Sequence, residues 1–270
     1  LQLIGDDLNK RLCGLEEVKQ RVLEHLAARV LGGHGRGAIL CFIGPPGTGK
    51  TSMGRAIAAA LERALIEINA GSIAYERELR GRPHRLEGAW PGAILSGLHK
   101  AQANNPVLLI DEVDRADEEF EAFLLEILSD FQVTVPEIGT FTAARRPRVI
   151  LTSNRTRELN DALKRRCLYL WIDYPSPEKE REIILRRVPG IADSLATSIA
   201  DIMGRLREVD FYKRPGIAET LDWSQALLGL GAREITPELL QDTAGVILKY
   251  HDDIERLRGL DDVLVAGVGS

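Results

Sequence analysis

Residues Gly44 to Thr51 read Gly-Pro-Pro-Gly-Thr-Gly-Lys-Thr, and no other stretch limits the possible folds as sharply. An apolar run, Ala38 to Ile43, precedes them and reads as a buried strand, and Ser52 to Arg63 follows with helical composition. A glycine loop between a strand and a helix lets backbone N–H groups curl toward a polyphosphate with no Cβ in the way. The helix N-terminus adds partial positive charge at the same spot. The spacing assigns Gly44, Pro45, Pro46, Gly47, Thr48, Gly49, Lys50, Thr51 and Ser52 to a phosphate loop. Lys50 is expected on the β- and γ-phosphates and the Thr51 hydroxyl on Mg²⁺. A glycine turn with no ligand is the competing reading, and the strand–loop–helix context argues against it.

Val107-Leu-Leu-Ile110 followed by Asp111 and Glu112 is the second signal. Four apolar residues make a strand buried on both faces, as in a parallel sheet. The two acids fall at its carboxyl end, where open α/β sheets bind ligands. Asp111 is expected to hold Mg²⁺, and Glu112 to act as the general base on an attacking water. Arg148 to Ser153 is another buried strand, and it ends in Asn154. That amide either touches the γ-phosphate or the attacking water, or simply forms a turn.

The remaining pattern is of strands alternating with helices. Leu15, Val18, Val22, Leu26 and Val30 mark one face of a helix, closed by Gly32-Gly33-His34-Gly35 and preceded by a lead-in, Leu1 to Leu12. Leu65 to Asn69 and Leu168 to Ile172 read as strands. Pro91 to Ala103, Ala116 to Asp130 and Leu159 to Arg166 read as helices, and Gln132 to Phe141 as a hairpin. Arg77 to Arg85 is a basic loop. Such alternation over Ala38 to Ile172 argues a parallel α/β sheet covered on both faces. After Pro175 only helical runs follow: Glu178 to Arg187, Ile191 to Val209, Ile217 to Leu230 and Pro237 to Tyr250. The expected organisation is an α/β domain over residues 1–174, a small all-α lid over 175–258 and a loose tail over 259–270.

The chain of 270 residues is long enough for a large and a small domain, and 44% hydrophobic with 28% charged residues is ordinary for a soluble globular protein. Net charge is −5, which argues against a general nucleic-acid grip. The local arginine clusters, Arg77, Arg80, Arg82 and Arg85 or Arg145, Arg146 and Arg148, lack interleaved aromatics. Cys13, Cys41 and Cys167 are far apart, which fits reduced thiols and a cytoplasmic setting. No run approaches the roughly 20 apolar residues of a membrane span. The chain begins at Leu1 with no visible signal peptide, which suggests a cut or processed end of a longer parent.

These residues resemble the AAA+ ATPases, and the two halves resemble different branches. Leu8 to about Asp111 is similar to the ATPase module of Lon proteases, through Gly14-Leu15-Glu16-Glu17-Val18-Lys19, Ile39 to Gly47, Arg80-Gly81 and Gly88-Ala89-Trp90-Pro91-Gly92. From about Asp114 to Asp253 the chain resembles the MoxR family and its CoxD-like branch. The matching text is Phe131 to Glu137, Thr152 to Arg157, Ala162 to Cys167 and Ala218 to Trp223. A natural mosaic, an engineered fusion and a designed sequence all fit this pattern.

The resemblance implies an AAA+ P-loop NTPase with a five-stranded parallel sheet flanked by helices and a helical lid, using ATP and Mg²⁺. It makes Gly44 to Thr51 Walker A, Asp111 and Glu112 Walker B, and Asn154 sensor 1. Arg166 matches an arginine finger, with Arg165 the second choice; a finger acts in trans, which implies a homo-oligomeric ring, most simply a hexamer. From the residues alone, Lys164-Arg165-Arg166 reads rather as a solvated helix end that complements the macrodipole. Cys13, Gly14 and Leu15 fall where AAA+ proteins pack adenine, with Pro215 and Ile217 closing from the lid; ordinary core packing is the alternative. Lys213-Arg214-Pro215-Gly216-Ile217 stands in the sensor 2 stretch, with Arg214 as the candidate. Leu86-Glu87 replaces the aromatic-aliphatic pair with which Lon modules grip polypeptide.

Four functions compete. The first is a MoxR-like remodeller of a protein client, with a von Willebrand A-domain protein as the implied partner. The second is the detached motor of a Lon-like protease, which Leu86-Glu87 argues against. The third is a nucleotide-gated nucleic-acid module, and the fourth a mosaic with slow turnover. The Lon protease domain has no room after the lid, so peptide cleavage by this chain alone is not expected.

Overall fold

The computed structural model describes residues 1–31, 39–72, 78, 92–103, 105–130, 132–135, 139–142 and 147–266. The expectations placed on Gly32 to Ala38, Arg77, residues 79–91, Phe131, Pro136, Glu137, Arg145 and Arg146 lie outside the described residues. Among the described residues the chain divides into two compact units, Leu1–Gly44 with Gly49–Ile172, and Pro45–Thr48 with Asp173–Ser270.

The first unit is built on a five-stranded parallel sheet. Its strands are β1 (Ile39–Ile43), β2 (Leu65–Asn69), β3 (Val107–Asp111), β6 (Arg148–Ser153) and β7 (Cys167–Trp171), in spatial order β2-β3-β6-β1-β7. β4 (Gln132–Val135) and β5 (Gly139–Thr142) form a separate antiparallel pair, with Gln132 opposite Thr142 and Val135 opposite Gly139. The helices are α1 (Gln2–Arg11), α2 (Glu16–Leu31), α3 (Lys50–Ala60), α4 (Ala93–Ala101), α5 (Glu118–Asp130) and the short α6 (Asp161–Lys164).

Strand alternation sorts the apolar residues into two cores, one on each face. In β1, Leu40 and Phe42 join one core and Ile39, Cys41 and Ile43 the other. In β3, Val107 and Leu109 face one way and Leu108 and Ile110 the other. Leu8, Val22, Leu26, Met53 and Ile57 of α1, α2 and α3 cover the first face. Ile94, Phe120, Leu124, Leu128 and Leu163 of α4, α5 and α6 cover the second. Both faces of β1 and β3 are therefore dry, which is why these strands read as continuous apolar runs.

The parallel register brings the strand ends to one edge. Ile43 stands beside Ser153 and Trp171, and Asn69 beside Asp111. Thr152, one residue past the last β3–β6 pairing at Ile110 and Leu151, comes level with Asp111. The phosphate loop leaves β1 at this edge.

The second unit carries α7 (Pro177–Arg187), α8 (Asp193–Glu208), α9 (Ile217–Gly229), α10 (Pro237–Ile247), α11 (His251–Leu257) and α12 (Asp261–Val265). Its core gathers Ile184, Leu195, Ile199, Met203, Leu206, Trp223, Leu227, Leu240 and Ile247. Side-chain caps begin two of these helices: Ser176 accepts from Lys179 N–H, and Thr236 from Leu239 N–H, each followed by proline at the first helical position.

Four expectations are corrected. Leu1 to Leu12 is not a lead-in but contains α1, whose Leu8 is fully buried with Ile4 and Leu12 packed beside it. Leu15 is not on the α2 helix: Gly14 (φ 73°) and Leu15 (φ 61°) are both left-handed, so the chain reverses before α2 starts at Glu16. The run from Pro237 to Tyr250 is not one helix, because Leu248 is extended (φ −104°, ψ 134°) and closes α10. The tail contains α12, held by burial of Leu264 in the second core.

Candidate functional site

The loop between β1 and α3 is shaped by two glycines. Gly44 (φ 154°) passes so close to β7 that a Cβ would lie 1.8 Å from the Ile172 carbonyl oxygen. Gly49 (φ 91°, ψ 16°) is the N-cap of α3 in a left-handed conformation that a side chain would strain. Between them the Thr48 hydroxyl donates to the Pro45 carbonyl at 3.0 Å and folds the loop on itself. Thr48 is buried, Pro45 and Pro46 are half-buried, and Gly47 and Ser52 are exposed.

Lys50 opens α3. It is only 5% exposed, and its Nζ donates to the Gly44 carbonyl at 2.9 Å. Burial pushes its pKa down to about 8, although Asp111, Asp114 and Glu112 each pull it upward. A buried ammonium at the start of a helix, ringed by carboxylates, is suited to an anionic ligand.

Thr51, next in α3, reaches across to β3. Its hydroxyl lies 3.0 Å from both carboxylate oxygens of Asp111. The Thr152 hydroxyl of β6 donates to Asp111 Oδ1 from the other side and accepts the Glu112 N–H at 3.1 Å. Glu112 sits in the left-handed region (φ 54°, ψ 43°), a conformation that costs a non-glycine residue about 1–3 kcal/mol. There its carboxylate meets two partners. Asn154 Nδ2 donates to Oε1 at 3.3 Å, and Arg115 ion-pairs with Oε2 at 3.4 Å.

Asp114 completes the cluster from beneath. It lies in the 3₁₀ turn Val113–Arg115 and is 1% exposed. Burial alone would raise its pKa. The Thr156 hydroxyl and N–H and the Asn154 N–H outweigh that and hold it below the usual carboxylate range.

The structure thus brings Gly44, Lys50, Thr51, Asp111, Glu112 and Asn154 to one edge of the sheet. Thr152, Asp114 and Thr156 were missed by sequence reasoning. Thr152 is recoverable from strand register, being level with Asp111; Asp114 only from the unusual position of an acid inside a buried turn.

Other expected residues stand elsewhere. Arg165 and Arg166 are exposed at the end of α6, with Arg166 NH1 donating to the Ala162 carbonyl at 3.1 Å. The Arg166 carbonyl accepts from Ile39 N–H, the first residue of β1. Arg166 is therefore at the opposite end of β1 from Gly44, about 16 Å away by strand rise. Cys13, Gly14 and Leu15 form the turn between α1 and α2, Gly14 buried and the other two half-buried. In the second unit, Ile217 opens α9 and its N–H donates to the Gly47 carbonyl at 2.9 Å. Arg214, two residues before Gly216, is exposed.

The donor set fits the expected ligands. Among the described residues no three His, Cys, Asp or Glu side chains cluster as a metal site. One hydroxyl and one carboxylate is what Mg²⁺ takes from a protein when substrate phosphates and waters supply the rest. No helix among the described residues is long and apolar enough to cross a membrane.

Residues 40–171 match the profile of the ATPase family associated with various cellular activities, AAA. Over 129 residues the chain is 47% identical to the Lon protease of Dictyoglomus thermophilum, an alignment covering 46% of this chain and 16% of that protein. Over 262 residues it is 31% identical to the peroxisomal Lon protease homolog 2 of Oryza sativa, covering 90% of this chain and 29% of that protein. The chain thus spans less than a third of the length of these curated relatives, and the likeness to Lon continues past Asp111, where it was expected to end. A mutant of Thermotoga maritima RuvB superposes with a TM-score of 0.62 at 24% identity, covering 92% of this chain and 74% of that one. The RuvB Holliday junction branch migration motor of the same organism gives 0.58 at 23%, covering 87% and 70%. At that identity these two speak for the fold. Residues 40–171 are thus similar to the AAA family, and the chain has the α/β fold of the AAA+ P-loop proteins.

Proposed function

We propose that this chain binds ATP with Mg²⁺ and hydrolyses it as the motor module of a homo-oligomeric ring acting on a protein client. One observation carries the reading: Lys50, Thr51, Asp111, Glu112 and Asn154 converge on the edge where the phosphate loop leaves β1.

In this reading the loop N–H groups and the Lys50 ammonium hold the β- and γ-phosphates. Thr51 and Asp111 hold Mg²⁺, which when bound neutralises charge on the phosphate oxygens. Glu112 accepts the proton of the attacking water, and Asn154 orients that water or the carboxylate. Arg166, or Arg165, reaches the nucleotide of a neighbouring copy. Cys13, Gly14, Leu15 and Ile217 are proposed for the nucleoside end and Arg214 for a sensor. Residues 1–174 then serve as the nucleotide-binding domain and 175–258 as the lid.

The 47% identity to a Lon protease favours a Lon-type motor for the client-handling step. A MoxR-like remodeller with a von Willebrand A-domain partner is the second reading. It is favoured by the β4–β5 hairpin, which stands apart from the main sheet between α5 and β6.

The deciding experiment measures ATP turnover and nucleotide binding for the parent chain and Glu112→Gln. The reading expects a variant that binds ATP as the parent does and turns it over at least about 100-fold more slowly. Unchanged turnover in that variant removes Glu112 as the base. Absence of ATP binding by the parent removes the whole reading. Stimulation of turnover by an unfolded protein favours the Lon-type motor over the second reading.

A further inference from the structure

We propose that Asp114 is a positioning residue for hydrolysis: it holds the Asn154 turn so that the Asn154 amide stays on Glu112. The proposal rests on the ATPase reading above, because it assigns Asp114 a role through that pair.

Asp114 uses both carboxylate oxygens on a single loop. Oδ1 accepts the Asn154 N–H at 3.0 Å. Oδ2 accepts the Thr156 N–H and the Thr156 hydroxyl, each at 2.7 Å. These contacts bracket Arg155, which is left-handed (φ 62°). A non-glycine residue stays in that region only when its neighbours over-determine it, and Asp114 grips the residue on each side. The reversal at Arg155 follows Asn154, whose Nδ2 lies 3.3 Å from Glu112 Oε1.

Glu112 is itself left-handed, and its N–H is pinned to the Thr152 hydroxyl. Two left-handed residues, Glu112 and Arg155, therefore follow adjacent strands, the first tied by Thr152 and the second bracketed by Asp114. A buried carboxylate is a costly way to close a loop, since an apolar or neutral filler avoids the desolvation of a charge. What the carboxylate adds is geometry: three charge-assisted hydrogen bonds in fixed directions, short and strong in a dry site.

Asp114 meets the proposed site at the Asn154 backbone N–H, and its charge also raises the Lys50 pKa. Its route to Glu112 runs through Asn154. That makes the inference testable by a double-mutant cycle on turnover, with Asp114→Asn as the isosteric change.

Asp114→Asn should lower kcat on the order of 10- to 100-fold, the cost of a displacement of about 1 Å, while ATP affinity, measured at about pH 6.5 where Lys50 keeps its charge, stays within about twofold. In an Asn154→Ala background the same change should cost no further turnover. A full loss in that background, or an unchanged kcat in the single variant, overturns the proposal. A readout independent of turnover accompanies it: the ¹⁵N shifts of the Asn154 backbone and side-chain amides in the nucleotide-free protein. Both should move toward free-amide values in Asp114→Asn, and unmoved shifts overturn the proposal even if the ATPase reading itself fails. Should Asp114→Asn not fold, Thr156→Val removes one donor and keeps the charge. It should move the same shifts by a smaller amount, and unmoved shifts there overturn the proposal equally.

Discussion

The Thr51 hydroxyl stands 3.0 Å from both carboxylate oxygens of Asp111, although the two residues are 60 positions apart and lie on different elements. Hydroxyl and carboxylate are hard oxygen donors of the kind Mg²⁺ selects. Thr51→Val keeps the side-chain shape and deletes the hydroxyl. The variant should need on the order of tenfold more Mg²⁺ for half-maximal ATP binding, with nucleotide binding in EDTA little changed. Calorimetric titration at several Mg²⁺ concentrations measures this. An unshifted Mg²⁺ requirement would place the metal on other groups.

Lys50 gives a pH dependence with a definite sign. Burial lowers its pKa to about 8, so the free protein loses this charge as pH rises through about 8. Bound phosphates favour the charged form and keep the proton on. Affinity for ATP should therefore be flat below pH 8 and fall above it, by up to about tenfold per pH unit until the bound-state pKa is reached. Fluorescent-nucleotide titrations between pH 6.5 and 9.5 read this out, with Lys50→Met as the variant that should bind poorly at every pH. A parent curve that stays flat to pH 9.5 would mean that Lys50 does not titrate in this range.

Much of this site is legible in the sequence because its parts are local. Gly44 to Thr51 needs only a strand before and a helix after, and β1, β3 and β6 announce themselves as apolar runs buried on both faces. The remainder depends on tertiary register. Thr152 becomes a partner of Asp111 only once β3 and β6 pair, and Asp114 becomes a brace only once the Asn154 turn folds over it. The spacing of Leu15 to Val18 and Val22 is helical, whereas the backbone at Leu15 is left-handed. Hydrophobic period does not report the sign of φ. α1 carries little apolar pattern, since one side chain, Leu8, is wholly buried while Leu3 is 83% exposed.

Arg166 sits at the opposite end of β1 from the phosphate loop, so it cannot serve the nucleotide of its own chain. If it acts, it acts on a neighbour. ATP turnover per chain should then rise steeply with protein concentration. Arg166→Ala should keep the parent's ATP affinity and assembly state and lose at least about 100-fold in turnover. Steady-state rates over a wide concentration range, with sedimentation to report assembly, separate this from a solvated helix end. Equal rates in parent and variant at all concentrations would leave Arg166 as only a helix-capping charge.

Inside the second unit, Glu180 and Arg207 form a fully buried pair, NH1 to Oε2 at 2.5 Å and NH2 to Oε1 at 2.7 Å. Further contacts surround the pair. The Thr220 hydroxyl donates to Glu180 at 2.6 Å, Arg207 Nε donates to the Pro215 carbonyl at 2.9 Å, and the guanidinium stacks 4.6 Å from the Tyr174 ring. Removing one partner strands the other charge in a dry core. Arg207→Met should therefore cost about 3–5 kcal/mol, whereas Glu180→Met combined with Arg207→Met should recover much of that loss. Urea denaturation followed by Trp223 emission, with Trp90 and Trp171 replaced by Phe, reports on this core, since Trp223 is fully buried in it. A double variant no more stable than Arg207→Met would mean that the cost is lost packing and the Pro215 contact rather than an unpaired carboxylate.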